Sequence, residues 1–385
     1  MVPNLRFSSF TNSYCVYTLG EILQRVSNPV NIDENKLYYQ IGIRSHSKGI
    51  FYKKAETGKQ IGNKKIFWVE SNCLILNIVF AWEQAVAKTS QKEIGMVVSH
   101  RFPMYKVLNN SLDYIVDFFK TEKGRQVLQM ASPGGAGRNK TLNQKFFLNS
   151  KVYLPSLKEQ LIISRFIALI ENRIETQIKI IDDCISYRNA IVDYFFQSLS
   201  FDWKRVKLSN VLEEYTELHI KDNSIIHATL SKDGIFPKTD RYDRDFLVKN
   251  DDKKYKVTHL NDICYNPANL KFGVITRNTY GDCMISPIYI TFKIKNDYLP
   301  KFIELLVTRK HFILKARKYE QGTVYERMAV NSSDLLSMNI LIPSLTIQKR
   351  IADIINTIDI KISNEQKLLN LYKAQKGYLL KNMFI

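Results

Sequence analysis

The residues that could carry covalent chemistry come first, and each group lacks part of its set. Tyr265-Asn266-Pro267-Ala268 approaches the Asn-Pro-Pro-aromatic motif of adenine methyltransferases, but the second proline and the aromatic are missing. No glycine-rich cofactor loop precedes it. Glu34-Asn35-Lys36 has the spacing of a carboxylate–lysine nuclease, with Glu21 as the only acid upstream of Asp33-Glu34. Gly134-Gly135-Ala136-Gly137-Arg138 resembles a phosphate cradle without the Gly-Lys-Ser/Thr that nucleotide binding needs. His46, His100, His219, His227, His259 and His311 form no metal-ligand pair. Cys15, Cys73, Cys184, Cys264 and Cys283 include no Cys-x-x-Cys, which excludes a zinc ribbon and suits a reducing compartment. No catalytic residue, no metal site and no cofactor bound by this chain are expected; it reads as a non-enzyme.

A different chemistry is well supplied. Residues 41–54 place Arg44, Ser45, His46, Lys48, Lys53 and Lys54 around one turn, and Ser99-His100-Arg101 follows a short strand-like run. Arg138-Asn139-Lys140 closes the glycine loop, where missing side chains let a phosphate backbone approach closely. Further along are Lys232, Arg241, Asn266, Asn269, Lys271, Arg277 and the loop holding Gln321, Thr323 and Tyr325. Arg, Lys, Asn and Gln are the side chains that read guanine and adenine edges in the major groove. The charge agrees: 56 Lys and Arg stand against 37 Asp and Glu, a net +19 that points to a polyanionic partner. Double-stranded DNA is the partner expected.

A chain of 385 residues suffices for two to three domains, and 45% apolar content is that of a folded chain. The N-terminal stretch has no apolar h-region. The longest apolar run, Cys73 to Trp82, is interrupted by Asn77 and is half the length of a membrane span. No membrane association is expected, and the location is expected to be cytoplasmic.

The chain is internally duplicated at an offset of 188 residues. The segment from Leu154 lies over that from Ile342 without a gap, with ten identities between 154 and 197, among them Pro155/Pro343, Gln160/Gln348 and Phe196/Phe384. Four are isoleucines spaced as on one helix face: Ile163, Ile167, Ile170 and Ile174 over Ile351, Ile355, Ile358 and Ile362. These eight are assigned to helix pairing. From Ile163 the apolar positions continue through 178, 181, 185, 192, 195 and 199, a coiled-coil seam with a stutter after 174 and Arg188 filling a polar gap. The second copy continues through Leu369, Leu380 and Met383, broken by Gln366, Lys373 and Lys376. Upstream, Tyr17-Thr18-Leu19 echoes Val206-Lys207-Leu208, and residues 112–123 echo 299–310. The blocks before each helix show short strand-like runs (Cys73–Phe80, Met96–Ser99, Ile285–Phe292), turns at Lys48-Gly49, Asp233-Gly234 and Tyr280-Gly281, and one helix each, near 112–130 and 299–318.

The fold expected is α+β: two mixed α/β globules separated by two long antiparallel helices in a coiled coil, pseudo-two-fold from the duplication. Its parts are a globule at 1–150, a spacer helix at 151–200, a second globule at 201–338 and a second helix at 339–385. Residues 1–150 carry a net +10 and 201–338 a net +5, whereas 151–200 are neutral. Basic globules joined by a neutral helix are the layout of a two-headed DNA binder. A fused nuclease–methylase fails for want of a cofactor loop. The net +15 of the two globular regions counts against a coiled-coil scaffold that binds protein only; a DNA binder without sequence preference or restriction role is the alternative reading.

The segments LPSLKEQ (154–160) and IPSLTIQ (342–348), with the helices after them, resemble the paired regions of type I restriction–modification specificity (S) subunits. IGIRSHSKGIF, FAWEQAVA, SHRFPMYK, SPGGAGRNKTL, YNPANLKFG and SPIYITFK resemble that family's target-recognition domains. The second copy departs at Thr346-Ile347, where the family often has an acid before the glutamine. The resemblance implies that each globule recognises half of a bipartite DNA site and that the helices act as a spacer. It also implies two modification subunits bringing S-adenosylmethionine chemistry, and restriction (translocase–nuclease) subunits bringing ATP- and Mg-dependent translocation and cleavage.

Overall fold

The computed structural model describes residues 2–134, 140–198, 203–220, 225–238, 254–321 and 328–385. The chain packs as two units, Met1–Ile180 with Glu365–Ile385, and Ile181–Asn364.

In the first unit, strand Cys15–Thr18 pairs antiparallel with Lys151–Leu154, so the chain enters and leaves the globule side by side. Between them lies an antiparallel four-stranded sheet in the order Leu23–Val26, Met104–Val107, Leu74–Leu76, Val86–Lys88. Side chains alternate across a strand, and here they divide two cores. Leu74 and Leu76 join Tyr105, Ile115, Phe119 and Leu128 in one cluster, whereas Ile75 joins Ile41, Ala87 and Val98 in another.

The second unit repeats this frame. Lys204–Lys207 pairs with Asn339–Ile342, and the four-stranded sheet runs Leu212–Tyr215, Ile290–Ile294, Ile263–Tyr265, Ile275–Arg277. Ile263 and Tyr265 face one cluster with Phe292, Phe302 and Leu306; Cys264 faces another with Ala228 and Ile285. The additions differ. The first unit carries three two-stranded pairs, Leu37–Tyr38 with Glu56–Thr57, Ile41–Ile43 with Ile50–Tyr52, and Ile66–Trp68 with Val97–Ser99. The second carries a five-stranded sheet in the order Leu218–Ile220, Lys254–Thr258, Cys283–Ile285, Ile226–Ser231, Gly234–Pro237.

The structure corrects the single helix expected in each globule. Leu112–Lys120 stops at Thr121, whose hydroxyl donates to Phe118 O at 2.6 Å and accepts from Gly124 N at 3.1 Å, starting a new helix, Glu122–Met130. A Cβ at Gly124 would lie 2.2 Å from Phe118 O, so only glycine permits this corner. In the second unit Pro300–Thr308 and Lys310–Ala316 are separated by Arg309 in extended conformation. The expected strand Cys73–Phe80 shrinks to Leu74–Leu76, and Ile285–Phe292 belongs to two strands, Cys283–Ile285 and Ile290–Ile294.

The long helices are Leu157–Ser198 and Leu345–Met383, each starting two residues after its proline. Each lends one half to each unit. In the first, Ile163, Ile167 and Ile170 are buried with Leu379, Met383 and Phe384, and Ile174 packs against them. In the second, Val192 and Phe196 are buried with Ile351 and Ile355, and Ile358 packs against them. Partner numbers rise on one helix as they fall on the other, which makes the pair an antiparallel coiled coil.

The seam differs from the expected one. Ile178 is 40% exposed and Ile185 41% exposed. The seam runs instead through 163, 167, 170, 174, 177, 181, 184 and 188, an unbroken heptad with no stutter. Its counterpart runs through 351, 355, 358, 362, 365, 369, 372 and 376, the same positions plus 188, so Glu365 and Tyr372 replace the expected breaks at Gln366 and Lys373. Hydrophobicity misled because the seam contains polar residues that pair across it. Buried Gln177 donates to Glu365, its own counterpart in the repeat. Glu171 pairs with Lys376 at 2.6 Å, and the equivalent residues Asp359 and Arg188 pair in the second unit. A globule lysine joins each pair, Lys120 at 3.2 Å from Glu171 and Lys301 at 2.9 Å from Asp359.

Candidate nucleic-acid interface

In the first globule the hairpin Ile41–Ile43 with Ile50–Tyr52 carries the basic turn. Arg44 N donates to Gly49 O at 3.0 Å, and His46 and Ser47 take left-handed φ of 57° and 54°. Such φ values are unfavourable for these residues, and outside contacts hold them: His46 N donates to Glu83 O at 2.6 Å and Ser47 N to Gln84 O at 3.0 Å. Gln84, itself left-handed at φ 58°, is fixed by its amide, which donates to Phe119 O and Thr121 O at 2.9 and 3.0 Å. The turn is therefore bolted through one glutamine to the helix corner at Thr121.

Arg44, Ser45, His46, Lys48 and Lys53 line an open hollow of about 430 Å³ with Ile43, Phe51, Asn77, Phe80 and Phe102. The Arg44 guanidinium lies 5.4 Å from the Phe51 ring centroid. Lys54 follows on the same strand end and is exposed. The Ser99-His100-Arg101 turn leads into Phe102, and Arg101 O accepts from Ile78 N at 3.0 Å. The Lys140 ammonium sits 5.4 Å over the Trp82 ring, on the short helical turn Ala81–Glu83 that also anchors His46. Segment 77–84 thus gathers the candidates of the first globule. Arg138 and Asn139 lie outside the described residues.

The second globule uses its candidates differently. Asn266 is buried; its Oδ1 accepts from Ala268 N at 3.1 Å and Asn269 N at 3.3 Å, capping the turn Pro267–Phe272. Asn269 and exposed Lys271 lie on that turn. Arg277 is tied inward, to Glu304 at 3.0 Å and Asn261 at 2.7 Å. Gln321 donates to Asp334 at 2.9 Å. Lys232 is exposed at the tip of the hairpin Ile226–Ser231 with Gly234–Pro237. Arg241, Thr323 and Tyr325 lie outside the described residues.

Set side by side, the two turns are copies. Asn77 N donates to Ala85 O at 2.9 Å and Asn266 N to Val274 O at 3.0 Å. Asn77 Oδ1 accepts from Val79 N at 3.2 Å, as Asn266 Oδ1 does from Ala268 N. Both turns end in a left-handed residue, Gln84 and Gly273. Among the described residues no group of three His, Cys, Asp or Glu side chains could hold a metal ion, and no helix is long and apolar enough to cross a membrane.

No family model and no curated protein sequence matches the chain. Solved structures do. The HsdS subunit from Thermoanaerobacter tengcongensis aligns with a TM-score of 0.50 at 14% identity, over 97% of this chain and 96% of that one. The S subunit of a type I restriction–modification system from M. genitalium aligns at 0.57 and 12% identity, over 100% and 99%. A chain from a study of complex assembly and conformational transition in a type I R-M system aligns at 0.59 and 13% identity, over 97% and 98%. The chain has the HsdS fold.

Within that fold, two sets of residues escaped sequence reasoning. Asn77 reads as a flaw in an apolar run, yet it stands 189 residues before Asn266, the offset at which Tyr17 echoes Val206. The second set is the glutamine pair. Gln160 accepts from Ser111 N at 2.9 Å and donates to Pro155 O at 2.9 Å and Asn110 Oδ1 at 2.7 Å. Gln348 accepts from Leu299 N at 2.9 Å and donates to Pro343 O at 3.0 Å. Ser111 and Leu299 are the N-caps of the helices Leu112–Lys120 and Pro300–Thr308. Each buried amide therefore clips the start of a long helix to the helix of its own globule, across 49 residues of sequence in both copies. Their identity in the repeat is the signal; what they bond is visible only in three dimensions.

Proposed function

We propose that this chain is the DNA-recognition subunit of a type I restriction–modification system. The observation that carries the reading is the end-to-end likeness to HsdS and S subunits, with a basic, aromatic-lined hollow on a rigid turn of the first globule. In this reading each globule contacts one short block of a bipartite duplex site. Basic side chains such as Lys48, Lys53, Lys140 and Lys271 neutralise phosphates, while Arg44, His46 and Asn269 face base edges. The helix pair sets the spacing between the blocks. Two modification subunits supply S-adenosylmethionine chemistry, and restriction subunits supply ATP- and Mg-dependent translocation and cleavage. This chain supplies no catalytic group and acts in the cytoplasm.

The test is selection of bound duplexes from a random pool by the chain with its modification partner, followed by sequencing. Two fixed blocks around a spacer of constant length support the proposal. A single block, or no enrichment, refutes it.

A further inference from the structure

The two units part company at the start of their long helices. In the first, an irregular arm, residues 2–14, crosses the helix start. Arg6 forms two 2.8 Å bonds to buried Glu159, Phe7 meets the Phe166 ring edge-on at 5.8 Å, and Leu5 N donates to Asn382 O at 2.9 Å. Leu5 and Phe7 pack against the core there.

In the second unit the equivalent residues line an open groove of about 790 Å³. Ile347 stands for Glu159, Ile354 for Phe166 and Arg350 for Ile162, and Trp203, Phe195 and Leu345 complete its apolar wall. Five residues, 199–203, stand between the long helix and the strand Lys204–Lys207, against thirteen in the arm. The charge is inverted as well. Glu159 is gone, and Lys204 and Arg350 line the groove against the single carboxylate Asp297.

We propose that this groove docks an extended segment of a partner protein bearing two bulky apolar side chains around a carboxylate, the charge-inverted counterpart of Leu5-Arg6-Phe7. The apolar wall takes the bulky pair where Phe166 takes Phe7, and Lys204 and Arg350 take the carboxylate where Glu159 takes Arg6. The arm of a second copy fits the wall but brings Arg6 against two cations, which opposes its binding.

Two fluorescent peptides test this on the full-length chain: residues 2–14 as they stand, and the same peptide with Arg6→Glu. The first unit's groove is filled by its own tethered arm, which outcompetes a free peptide by effective concentration. The Arg6→Glu peptide is expected to bind at least about tenfold more tightly than the native one. Ile354→Asp should weaken it at least about tenfold, and Ile347→Glu should reverse the preference between the peptides. Ile347 and Ile354 are exposed, so unchanged melting curves show that neither change acts through folding. Equal affinity of the two peptides, preference for the native one, absence of binding, or binding indifferent to Ile354→Asp each overturns the proposal.

Discussion

Strands Leu74–Leu76 and Ile263–Tyr265 occupy the same place in the two globules: each is the third strand of a four-stranded sheet and each divides two hydrophobic clusters. Each is followed by an asparagine whose Oδ1 accepts from the backbone N–H two residues on, in a turn that ends in a left-handed residue. Away from that frame the globules diverge. The first builds three short pairs of strands, one of which presents Arg44, His46 and Lys48; the second builds a five-stranded sheet and ties Arg277 and Gln321 into intramolecular bonds. The frame holds the chain to the helix pair and is kept in both copies. The surface that would meet a ligand is rebuilt in each. A duplicated protein that keeps its supports and changes its loops fits the proposed function, in which each globule contacts its own block of DNA.

If the frame is shared, equivalent changes must cost the same. Ile167 and Ile355 are fully buried counterparts. Ile167→Asp and Ile355→Asp should each cost about 4–5 kcal/mol in urea unfolding, from lost burial plus an unpaired charge. Ile360→Asp, 62% exposed, should cost almost nothing. Hydrogen exchange should rise in the first unit for Ile167→Asp and in the second for Ile355→Asp; uniform loss would show that the two units are not separate.

The glutamine clips come next in size. Gln160→Ala leaves the buried Ser111 N–H, and Gln348→Ala the half-buried Leu299 N–H, without its acceptor, at about 1–3 kcal/mol each. Gln160→Ala should be the larger, because Gln160 also holds Asn110. Equal values, or a larger one for Gln348, would break the comparison at this point.

The ion pairs are smaller. Burial acts to raise the Glu171 pKa, but Lys120 and Lys376 together hold it below the usual carboxylate value; Asp359 is lowered against burial by Arg188 and Lys301. A carboxylate lowered by folding stabilises above its unfolded pKa of about 4, and that contribution is lost as pH falls through the folded value. Glu171→Gln and Asp359→Asn should each cost about 1 kcal/mol at pH 7, and the cost should vanish once the pH falls below the lowered pKa of each folded carboxylate. A cost that persists in acid would mean the side chains act by packing. Smallest of all is the charge on the hollow: reversing Lys48 and Lys53 together should weaken duplex binding about three- to tenfold for every sequence and flatten its salt dependence.

Much of this frame is legible in the sequence, because repetition exposes it. Ile163, Ile167, Ile170 and Ile174 recur at one offset, so helix pairing and its antiparallel sense follow without coordinates. The stutter was misread because isoleucines at 178 and 185 outweigh Gln177 and Cys184 on any hydrophobic count, whereas the seam is kept by a glutamine bonded to Glu365. The helix corner at Thr121 was missed because its polar cap sits inside an otherwise continuous helical pattern. At the candidate interface, types and turns were readable, since Arg44 to Lys54 fall around one hairpin. What each side chain does was not: Asn266 and Arg277 match base-reading chemistry, but a cap and a carboxylate partner supplied from residues 268–304 give them structural work.

In the proposed function the two globules read independently of one another, and a block exchange puts that to the test. Residues 206–338 are replaced by the corresponding block of another chain of the same fold, and the bound sequences are selected and read with the modification partner present. The account predicts that one block of the bipartite site changes while the other block and the spacer length stay as they were. A change in both blocks, or in neither, would contradict it.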